Sequence, residues 1–344
     1  MPTFESSAFF FSNSAHPPLI LAPMAGVTDL PFRRIAERYG ADLTISEMVA
    51  SQAMIRNTPK SQRIIQKPDD DTIKAVQIAG SDPEIMAKAA RMNVRHGADL
   101  IDINMGCPVK KIIKSGSGAA LLRDEALIAR IVNAVKNAVD VPVSAKIRIG
   151  WDDVSRNGIR IAQLLESLGV SWITVHGRTR AQMYRGQADW SYIAKIKKAV
   201  SIPVVGNGDI TTPQSAQQAL ECSGVDGLMI GRGTMGKPWL FEQIAHHLQG
   251  KTEPEGPDVT TLYQIIKDHV QQIFSHYGLV TGNRMARKHL AWYVKGLPDS
   301  AHFRNTVNHS LDAAHTLSLL DDYFQGTLQK TAPDYVNNPS DMDG

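Results

Sequence analysis

The sequence predicts a (β/α)8 TIM barrel followed by a small C-terminal α-helical bundle. Eight short, almost continuously apolar segments alternate with amphipathic helical patterns, and the alternation gives way to a purely helical stretch. Strands that alternate with helices form parallel sheets buried on both faces, and eight in succession favour a closed barrel. An open doubly wound sheet normally has fewer units and a nucleotide fingerprint after its first strand, where this chain has Ala22-Pro23-Met24-Ala25-Gly26.

The repeats of the barrel can be located in order along the chain. The eight predicted strands cover residues 19–22, 43–47, 74–78, 100–104, 142–147, 172–175, 203–206 and 227–230. The clearest helices between them cover residues 83–96, 125–138, 157–168, 190–199 and 213–221, each with the 3.6-residue apolar period. Further helical patterns over residues 262–277, 284–295, 301–307 and 311–324 predict the C-terminal bundle.

Composition shifts divide the chain into five expected segments. These are an N-terminal extension (1–18), the catalytic barrel (19–250), a linker (251–258), a helical domain (259–330) and a flexible tail (331–344). The linker is marked by Glu-Pro-Glu-Gly-Pro, which breaks helices, and the tail is polar. The extension and the tail have no function that the sequence reveals.

Charge and cysteine content narrow the class of protein. The chain has 37 Lys and Arg against 34 Asp and Glu, so any polyanion-binding surface must be local. Its two cysteines, Cys107 and Cys222, form neither a CxxC pair nor a zinc-type cluster, which argues against a disulfide framework and a metal site. No segment has the apolar length of a signal peptide or of a membrane span, so we expect a cytoplasmic protein without membrane association.

Polar and glycine residues follow the predicted strands, and in this fold that position indicates the active site. Such candidates stand at the end of nearly every strand, and the set is polar and basic. They are Pro23 and Met24; Gln77; Asn104 and Cys107; Lys146 and Arg148; His176 and Arg178; Asn207, Gly208 and Asp209; and Gly231 and Arg232.

The loops after the last two strands predict a phosphate site. Gly231-Arg-Gly233-Thr-Met-Gly236 matches the GxGxxG fingerprint, but it follows the last strand and no acidic ribose ligand comes after it, which excludes a Rossmann fold. A glycine-rich turn before a helix starting near Lys237 would instead offer backbone N–H groups to a phosphate, together with Asn207-Gly208. The alternative is that these glycines only make tight turns.

Lys146 and Gln77 suit a flavin. A lysine at the rim of a barrel is costly unless it meets an anion, and it could stabilise charge on a reduced flavin or an enolate. Gln77 offers both a donor and an acceptor to a ring edge. The alternative for Lys146 is a side chain that reaches solvent.

Cys107 lies in a Gly-Cys-Pro turn after the fourth strand, where a thiol could act as a nucleophile or as a general acid. A thiolate would need a cationic partner, and the one histidine predicted at the barrel top is His176. Thiol and thiolate therefore both stay open. Cys222, near the end of an outer helix, has the ordinary interpretation of a small hydrophobic residue, which is also the alternative for Cys107.

The stretch from Val109 to Gly118 is predicted to be irregular and contains three lysines and two glycines, which is typical of a mobile lid over a phosphate-bearing substrate. The alternative is a solvated charged loop.

The C-terminal domain carries a basic helical face. Arg284, Arg287 and Lys288 share one face of a predicted helix, with His289, Trp292 and Tyr293 beside it. Such a helix can bind a phosphate backbone and stack on bases, although the same spacing fits an ordinary exposed face.

As a set, these motifs closely resemble the bacterial tRNA-dihydrouridine synthases. The tail motif Arg287-Lys288-His289-Leu290-Ala291-Trp292-Tyr293 is similar to that of the B subfamily. The motifs that carry the resemblance are Ala22-Pro23-Met24-Ala25-Gly26-Val27-Thr28-Asp29, Gln77-Ile78-Ala79-Gly80, Asp102-Ile103-Asn104-Met105-Gly106-Cys107-Pro108, Lys146-Ile147-Arg148, His176-Gly177-Arg178-Thr179-Arg180, Asn207-Gly208-Asp209 and Gly231-Arg232.

The resemblance implies an FMN enzyme that uses NADPH to reduce the C5–C6 double bond of a uridine in the D-loop of tRNA, with nucleotide seventeen expected for the B subfamily. It implies no obligate protein partner. By this resemblance Cys107 is the catalytic acid, Asn104, Arg148 and Arg178 contact the substrate, and Arg284, Arg287 and Lys288 bind tRNA. The residues implied to hold FMN are Pro23, Met24, Ala25, Gln77, Lys146, His176, Asn207, Gly208, Asp209, Gly231 and Arg232.

Two other functions stay open. One is an FMN-dependent barrel oxidoreductase that acts on a free pyrimidine, similar to dihydroorotate dehydrogenase. The other is a catalytically inactive barrel that binds RNA.

Overall fold

Parallel strands form one curled sheet in the computed structural model, which describes residues 7–12, 15–56, 63–66 and 72–330. The described strands are β1 (Leu19–Leu21), β2 (Leu43–Thr44), β3 (Val49–Ala50), β4 (Ala75–Ala79), β5 (Leu100–Met105), β6 (Val143–Arg148), β7 (Ile173–His176), β8 (Val204–Asn207) and β9 (Gly227–Ile230). All strand pairs are parallel, in the order β2-β1-β9-β8-β7-β6-β5-β4-β3.

A bridge between the second and third predicted strands closes the sheet. Ile45 pairs in parallel with Ala75, and the Ser46 N–H donates to the Ala75 carbonyl at 3.0 Å. The predicted (β/α)8 barrel with a helical C-terminal region is therefore confirmed. The segment 43–47 is not one continuous strand as predicted, because β2 ends at Thr44 and the chain pairs with β4 again in β3, through Val49 and Ile78.

Helices follow the strands of the barrel. In chain order they are α1 (Ser7–Ser12), α2 (Leu30–Arg38), α3 (Ser51–Ile55), α4 (Pro83–Arg95), α5 (Lys110–Lys114), α6 (Glu125–Lys136), α7 (Gly158–Ser167), α8 (Trp190–Ala199), α9 (Pro213–Ser223) and α10 (Leu240–Leu248). The five helices predicted most clearly lie within two residues of their expected bounds. Side-chain caps explain this agreement, since Asp82, Asp124, Asp189 and Thr212 each accept a hydrogen bond from the first turn of a helix.

The interior of the barrel is apolar at one end and polar at the other. Residues near the beginnings of the strands form an apolar layer that includes Ile20, Leu100 and Trp172, all fully buried. Nearer the strand ends the interior positions hold Gln77, Asp102 and other polar residues. Because side chains alternate along a strand, the opposite faces pack against the helices in a second, larger core. This division places polar chemistry at the C-terminal face.

The N-terminal extension contacts the apolar end of the barrel. Phe10 stacks on Trp172 with ring centroids 6.4 Å apart, and Phe11 meets the same indole edge-on at 5.7 Å. Phe11 also packs near Gly227, where an added Cβ would lie 3.4 Å from its ring. These two side chains therefore cover the apolar layer. Residues 1–6, 13 and 14 of the predicted extension lie outside the described ones.

A second compact unit comprises Thr234–Trp239 and the described residues from Thr252 onward. Its helices are α11 (Val259–Tyr277), α12 (Leu279–Tyr293), α13 (Ser300–Asn308) and α14 (Ala313–Lys330), with a core of their own around Ile266, Leu290 and Phe324. Helix α12 begins five residues before its predicted start, directly after Gly278, whose φ is +74°. The predicted tail, 331–344, lies outside the described residues. Among the described helices, none is both long and apolar enough to cross a membrane.

Candidate active site

The strand ends bring most of the predicted site residues together at the C-terminal face of the barrel. Register places Gln77 beside Asp102 and Asn104 beside Lys146 on adjacent strands. The Lys146 ammonium donates to Asn207 Oδ1 at 3.0 Å, and Asn207 Nδ2 donates to the Met229 carbonyl at 2.7 Å. One hydrogen-bonded chain thus links β6, β8 and β9.

A second chain of hydrogen bonds runs up the barrel interior from Asp102 to Cys107. Ser144 Oγ donates to Asp102 Oδ1 at 2.6 Å, and Gln77 Nε2 donates to Asp102 Oδ2 at 2.7 Å. Asn104 Nδ2 in turn donates to Gln77 Oε1 at 2.7 Å. Burial raises the pKa of the Asp102 carboxyl, while the bonds from Gln77 and Ser144 oppose that rise. Sequence reasoning missed Asp102 and Ser144 because their importance depends on strand register.

The turn that carries Cys107 is held at both ends. Asn104 Oδ1 accepts the backbone N–H of Cys107 at 3.0 Å and that of Gly106 at 3.3 Å. The Cys107 carbonyl accepts the Ala119 N–H at 3.1 Å. Gly118 has a φ of +63°, and a Cβ there would lie 2.8 Å from the Cys107 carbonyl oxygen, so a side chain would displace the turn. The partly exposed thiol is a free one on a fixed backbone.

Several cations share this face and lower one another's pKa values. Burial, followed by Arg148, lowers the pKa of Lys146 to about 8. Burial also lowers the pKa of Arg148 to about 10. Burial together with Lys146, Arg148, Arg178 and Arg232 holds the pKa of His176 well below its usual value. This shift favours neutral His176 and disfavours an imidazolium partner for a Cys107 thiolate.

Arg148 crosses the mouth of the barrel beside the cysteine turn. Its Nε donates to the Gly106 carbonyl at 2.8 Å, and its Nη1 donates to the carbonyls of Thr179 and Met183 at 2.9 and 2.8 Å. The side chain thus ties the cysteine turn to the loop after β7. A guanidinium in this position can also face a substrate at the mouth.

Arg178 is more deeply engaged with protein groups than predicted. Its Nε donates to the Arg185 carbonyl, and its Nη2 donates to the Gly186 carbonyl and to Asp209 Oδ2, the last at 2.7 Å. Only 2% of the side chain is exposed. Asp209 also accepts from the Ala188 N–H at 2.8 Å. The arrangement shows Arg178 and Asp209 joining the loops after β7 and β8, and a direct substrate contact by Arg178 stays a prediction.

The two glycines of the predicted phosphate site differ in how strictly the structure requires glycine. Gly208 has a φ of +137°, and a Cβ there would lie 2.5 Å from the Ala188 Cβ, so only glycine fits. A Cβ on Gly231 would make only ordinary contacts, at 3.4 Å from Met24 Sδ. The helix after this loop begins at Leu240 rather than near Lys237, because Arg232–Thr234 forms a 3-10 turn first. Pro23, Met24 and Ala25 form the turn after β1, closed by the Thr28 hydroxyl, which accepts the Met24 N–H at 2.8 Å.

Tyr184 is a candidate that sequence reasoning missed. Its ring lies 5.6 Å from the Arg148 guanidinium and 5.0 Å from that of Arg232, and its centroid is 6.4 Å from that of His176. Half of the side chain is exposed, on the loop after β7. The sequence offers one signal, an aromatic residue in a strand-end loop. An exposed ring between two site arginines can stack on a planar ligand.

The segment after Cys107 is more regular than predicted. Residues Lys110–Lys114 form the short helix α5, and Gly118–Arg123 form a 3-10 helix, so the expected irregular stretch is wrong. The backbone N–H groups of Ser115 and Gly116 donate to the carbonyls of Ile112 and Ile113, respectively, and these hydrogen bonds end the helix. Lys110, Lys111 and Lys114 are all exposed. Movement of this segment as a lid stays a prediction.

The predicted basic face of the second unit differs in exposure from one residue to the next. Arg284 is exposed on α12, while Arg287 is half-buried and its Nη2 donates to the Ser310 carbonyl at 2.7 Å. His289 and Tyr293 are buried in the bundle, so base stacking by these two residues is wrong. The helical period that places Arg284 outward also turns His289 and Tyr293 inward. Arg284 and Lys288 are left as the better candidates for phosphate contacts.

Comparison with solved structures supports the fold. The chain is similar to 6-hydroxypseudooxynicotine amine oxidase of Pseudomonas geniculata N1, with a TM-score of 0.52 and 14% identity over 76% of this chain and 53% of that one. Histamine dehydrogenase of Rhizobium sp. 4-9 gives a TM-score of 0.54 and 14% identity over 77% and 51% of the two chains. The chain thus spans about half the length of these structures, and the likeness shows the fold alone.

Comparison of sequences shows the family. A probable tRNA-dihydrouridine synthase of Rickettsia bellii is 50% identical over 84% of this chain and 89% of its own length. Proteins named tRNA-dihydrouridine synthase B from Xanthomonas campestris and Pseudomonas aeruginosa are 47% and 49% identical, over 92% and 86% of this chain and 96% and 89% of their own. The profile of the dihydrouridine synthase (Dus) family matches residues 20–329. The chain is therefore a member of the dihydrouridine synthase family.

Proposed function

We propose that this protein is a tRNA-dihydrouridine synthase that reduces the C5–C6 double bond of a D-loop uridine, with FMN as bound cofactor and NADPH as reductant. The observation that carries the proposal is the Cys107 thiol, held on a fixed turn beside Arg148 at the mouth of the barrel. Family membership and the names of the relatives supply the substrate class.

The residues at the mouth fit FMN. Lys146 and its neighbouring arginines concentrate positive charge where an anionic cofactor would relieve their mutual repulsion. Gly208 lets the loop after β8 pack against Ala188 of the loop after β7, and the exposed Arg232 lies 3.4 Å from Asp209 of the same β8 loop. When bound, reduced FMN would supply the hydride that C6 receives, and NADPH would supply the hydride that reduces FMN again. The residues proposed to hold FMN are Pro23, Met24, Ala25, Gln77, Lys146, His176, Asn207, Gly208, Asp209, Gly231 and Arg232.

Cys107 is proposed as the proton donor to C5 of the uracil. As C6 gains a hydride, electron density moves toward the C4 carbonyl oxygen, and a cation such as Arg148 stabilises that charge. The S–H bond of Cys107 then breaks as the new C5–H bond forms, which leaves a thiolate that regains a proton from solvent. Neutral His176 agrees with this role, because it offers no imidazolium charge that would stabilise a Cys107 thiolate. Asn104 and Arg148 would orient the uracil.

The RNA must present its uridine unstacked, since a base within a stack cannot reach the barrel mouth. The exposed Arg284, with Lys288 and Arg287 on the same helix, is proposed to contact the phosphate backbone of tRNA. A free pyrimidine would need no such basic helix, which disfavours the dihydroorotate-dehydrogenase-like alternative.

The test is to incubate the purified protein with FMN, NADPH and an unmodified tRNA transcript, and to map dihydrouridine by mass spectrometry. We expect dihydrouridine in the D-loop, at nucleotide seventeen, and no reaction of free uridine or orotate. Reduction of the free pyrimidine but not of tRNA would replace this proposal with the alternative enzyme. Binding of tRNA by a colourless protein that takes up no FMN would leave only an RNA-binding barrel.

A further inference from the structure

Asp102 has no role in the proposed reaction, yet it lies at the base of the hydrogen-bonded chain that ends at the Cys107 turn. The carboxylate is fully buried and both of its oxygens accept hydrogen bonds, from Ser144 and Gln77. Two amide side chains, Gln77 and Asn104, connect it to the backbone N–H groups of Gly106 and Cys107. A buried charge in such a chain is costly and calls for an explanation.

The direction of this chain is determined at both ends. A carboxylate only accepts, so Gln77 must turn its NH2 group toward Asp102 and its carbonyl oxygen toward Asn104. Backbone N–H groups only donate, so Asn104 must turn its carbonyl oxygen toward the cysteine turn and its NH2 group toward Gln77. Both requirements give the same orientation of both amides. A side-chain amide without such neighbours could turn over and exchange its donor for its acceptor.

We propose that Asp102 is a positioning residue that orients the amides of Gln77 and Asn104 and thereby holds the turn that presents Cys107. The importance of this order for catalysis rests on the proton-donor role proposed above for Cys107. If the residue at position 102 could no longer accept a hydrogen bond, Gln77 could turn its carbonyl toward position 102. Asn104 would then have to turn over as well. The NH2 group of Asn104 would face the backbone N–H groups of the cysteine turn, which also only donate. The turn would then lose two hydrogen bonds.

A bystander interpretation makes a different prediction. Asp102 could merely balance the nearby charge of Lys146, which opposes the rise of its pKa. In that case only the total charge would matter, and a carboxylate at position 104 could replace the one at position 102 whether or not Gln77 joins the two positions. The positioning role instead requires that residues 102 and 104 depend on each other through Gln77, although no hydrogen bond joins the two directly.

The experiment reverses the chain by moving the carboxylate. In Asn104→Asp two carboxylates compete for the single NH2 group of Gln77, so one of them loses its donor. Adding Asp102→Asn places an amide at position 102, which can donate to a reversed Gln77. Gln77 then donates to the carboxylate introduced at position 104, and that carboxylate still accepts both N–H groups of the turn. The double variant is therefore fully hydrogen-bonded again, with the same total charge.

The readout is the rate at which iodoacetamide alkylates Cys107 in the full-length protein, in a Cys222→Ser background. We expect Asn104→Asp to raise the rate about tenfold and the double variant to return it to within about twofold of the parent. The matched control repeats the same exchange in a Gln77→Met background, where the total charge is again unchanged but no amide joins the two positions, and it should give no recovery. An equal recovery in that background would also overturn the proposal. Additive effects, with the double variant no closer to the parent than Asn104→Asp, would overturn the proposal.

A second pair covers the case in which Asn104→Asp does not fold. Gln77→Glu also sets two carboxylates against each other, and Asp102→Asn again supplies the missing donor, while Asn104 can still donate to the carboxylate introduced at position 77. Recovery of folded protein or of the alkylation rate in Gln77→Glu with Asp102→Asn supports the proposal, and its absence in both pairs contradicts it. Neither readout uses tRNA, so a failure here is distinguishable from a failure of the proposed activity.

Discussion

At the residue scale, Lys146 is a cation of the candidate site whose charge changes with pH just above neutrality. Burial and Arg148 lower its pKa to about 8, so its ammonium is charged below that pH and loses its proton above it. An anionic cofactor bound nearby would favour the charged form. Loss of the Lys146 proton should therefore weaken binding of the cofactor, and bound cofactor should raise the pKa of Lys146.

We predict that FMN binds more weakly as pH rises above 8. From pH 7.5 to 9.5 the dissociation constant should increase roughly tenfold, because each pH unit above the pKa costs at most about 1.4 kcal/mol. Fluorescence titration of the apoprotein measures this constant. Lys146→Met should bind weakly at both pH values, with a nearly flat profile. Parallel pH profiles for the parent and the variant would show that Lys146 does not carry the dependence.

The sequence predicted which residues stand at the mouth better than what they contact. Gln77, Lys146 and Cys107 were identifiable because parallel strands of a barrel all end at one face. The bonds of Gln77 with Asp102, and of Arg178 with Asp209, join residues far apart in the chain and depend on strand register and loop path. No local pattern specifies those. Tyr184 was missed for the same reason, since one of its two arginines lies at the end of β6 and the other follows β9.

At the scale of the elements, helix α1 shows how a segment without an evident function can still belong to the fold. Its Phe10 and Phe11 cover Trp172, which is fully buried at the apolar end of the barrel. Aromatic pairs of this kind contribute beyond the area that they bury. Sequence composition identified an extension here but could not show which surface it covers.

We predict that Phe10→Ala with Phe11→Ala lowers the free energy of unfolding by about 3 kcal/mol, less than two fully buried phenylalanines would cost. Urea unfolding followed by circular dichroism measures the change. Val154→Ala, at a side chain that is 97% exposed, is the control and should have no effect. An unchanged midpoint in the double variant would mean that α1 contributes nothing to the barrel.

Helix α12 carries the clearest basic surface of the second unit. We predict that Arg284→Ala with Lys288→Ala raises the dissociation constant for tRNA about tenfold at low salt and reduces the salt slope by about 1 to 2. Arg287 is left in place because it also donates to Ser310. Filter binding at several salt concentrations measures both quantities.

The matched control for α12 is Lys195→Ala with Lys198→Ala, which removes two charges from the outer helix α8. This control should leave the salt slope unchanged. If both pairs lower affinity equally, the effect is one of net charge and α12 is not a specific contact.

At the scale of the whole molecule, the barrel was predictable because its repeats are regular and five of its helices begin at a side-chain cap. The division of its interior into an apolar and a polar end follows from the strand sequences once their register is known. The second strand is split because strand pairing overrides its local composition. The segment after Cys107 is helical over Lys110–Lys114 because its backbone groups pair locally, which its composition did not indicate. Such places lie next to the candidate site.

The central claim is that Cys107 donates the proton that completes reduction of the uracil. The most direct test mixes NADPH-reduced, FMN-loaded protein with unmodified tRNA and follows reoxidation of the flavin and formation of dihydrouridine in a single turnover. Cys222→Ala, the matched control, should react like the parent. We predict that Cys107→Ala is reduced by NADPH normally but reacts with tRNA at least ~100-fold more slowly. Formation of dihydrouridine by Cys107→Ala at the rate of the parent would contradict the account.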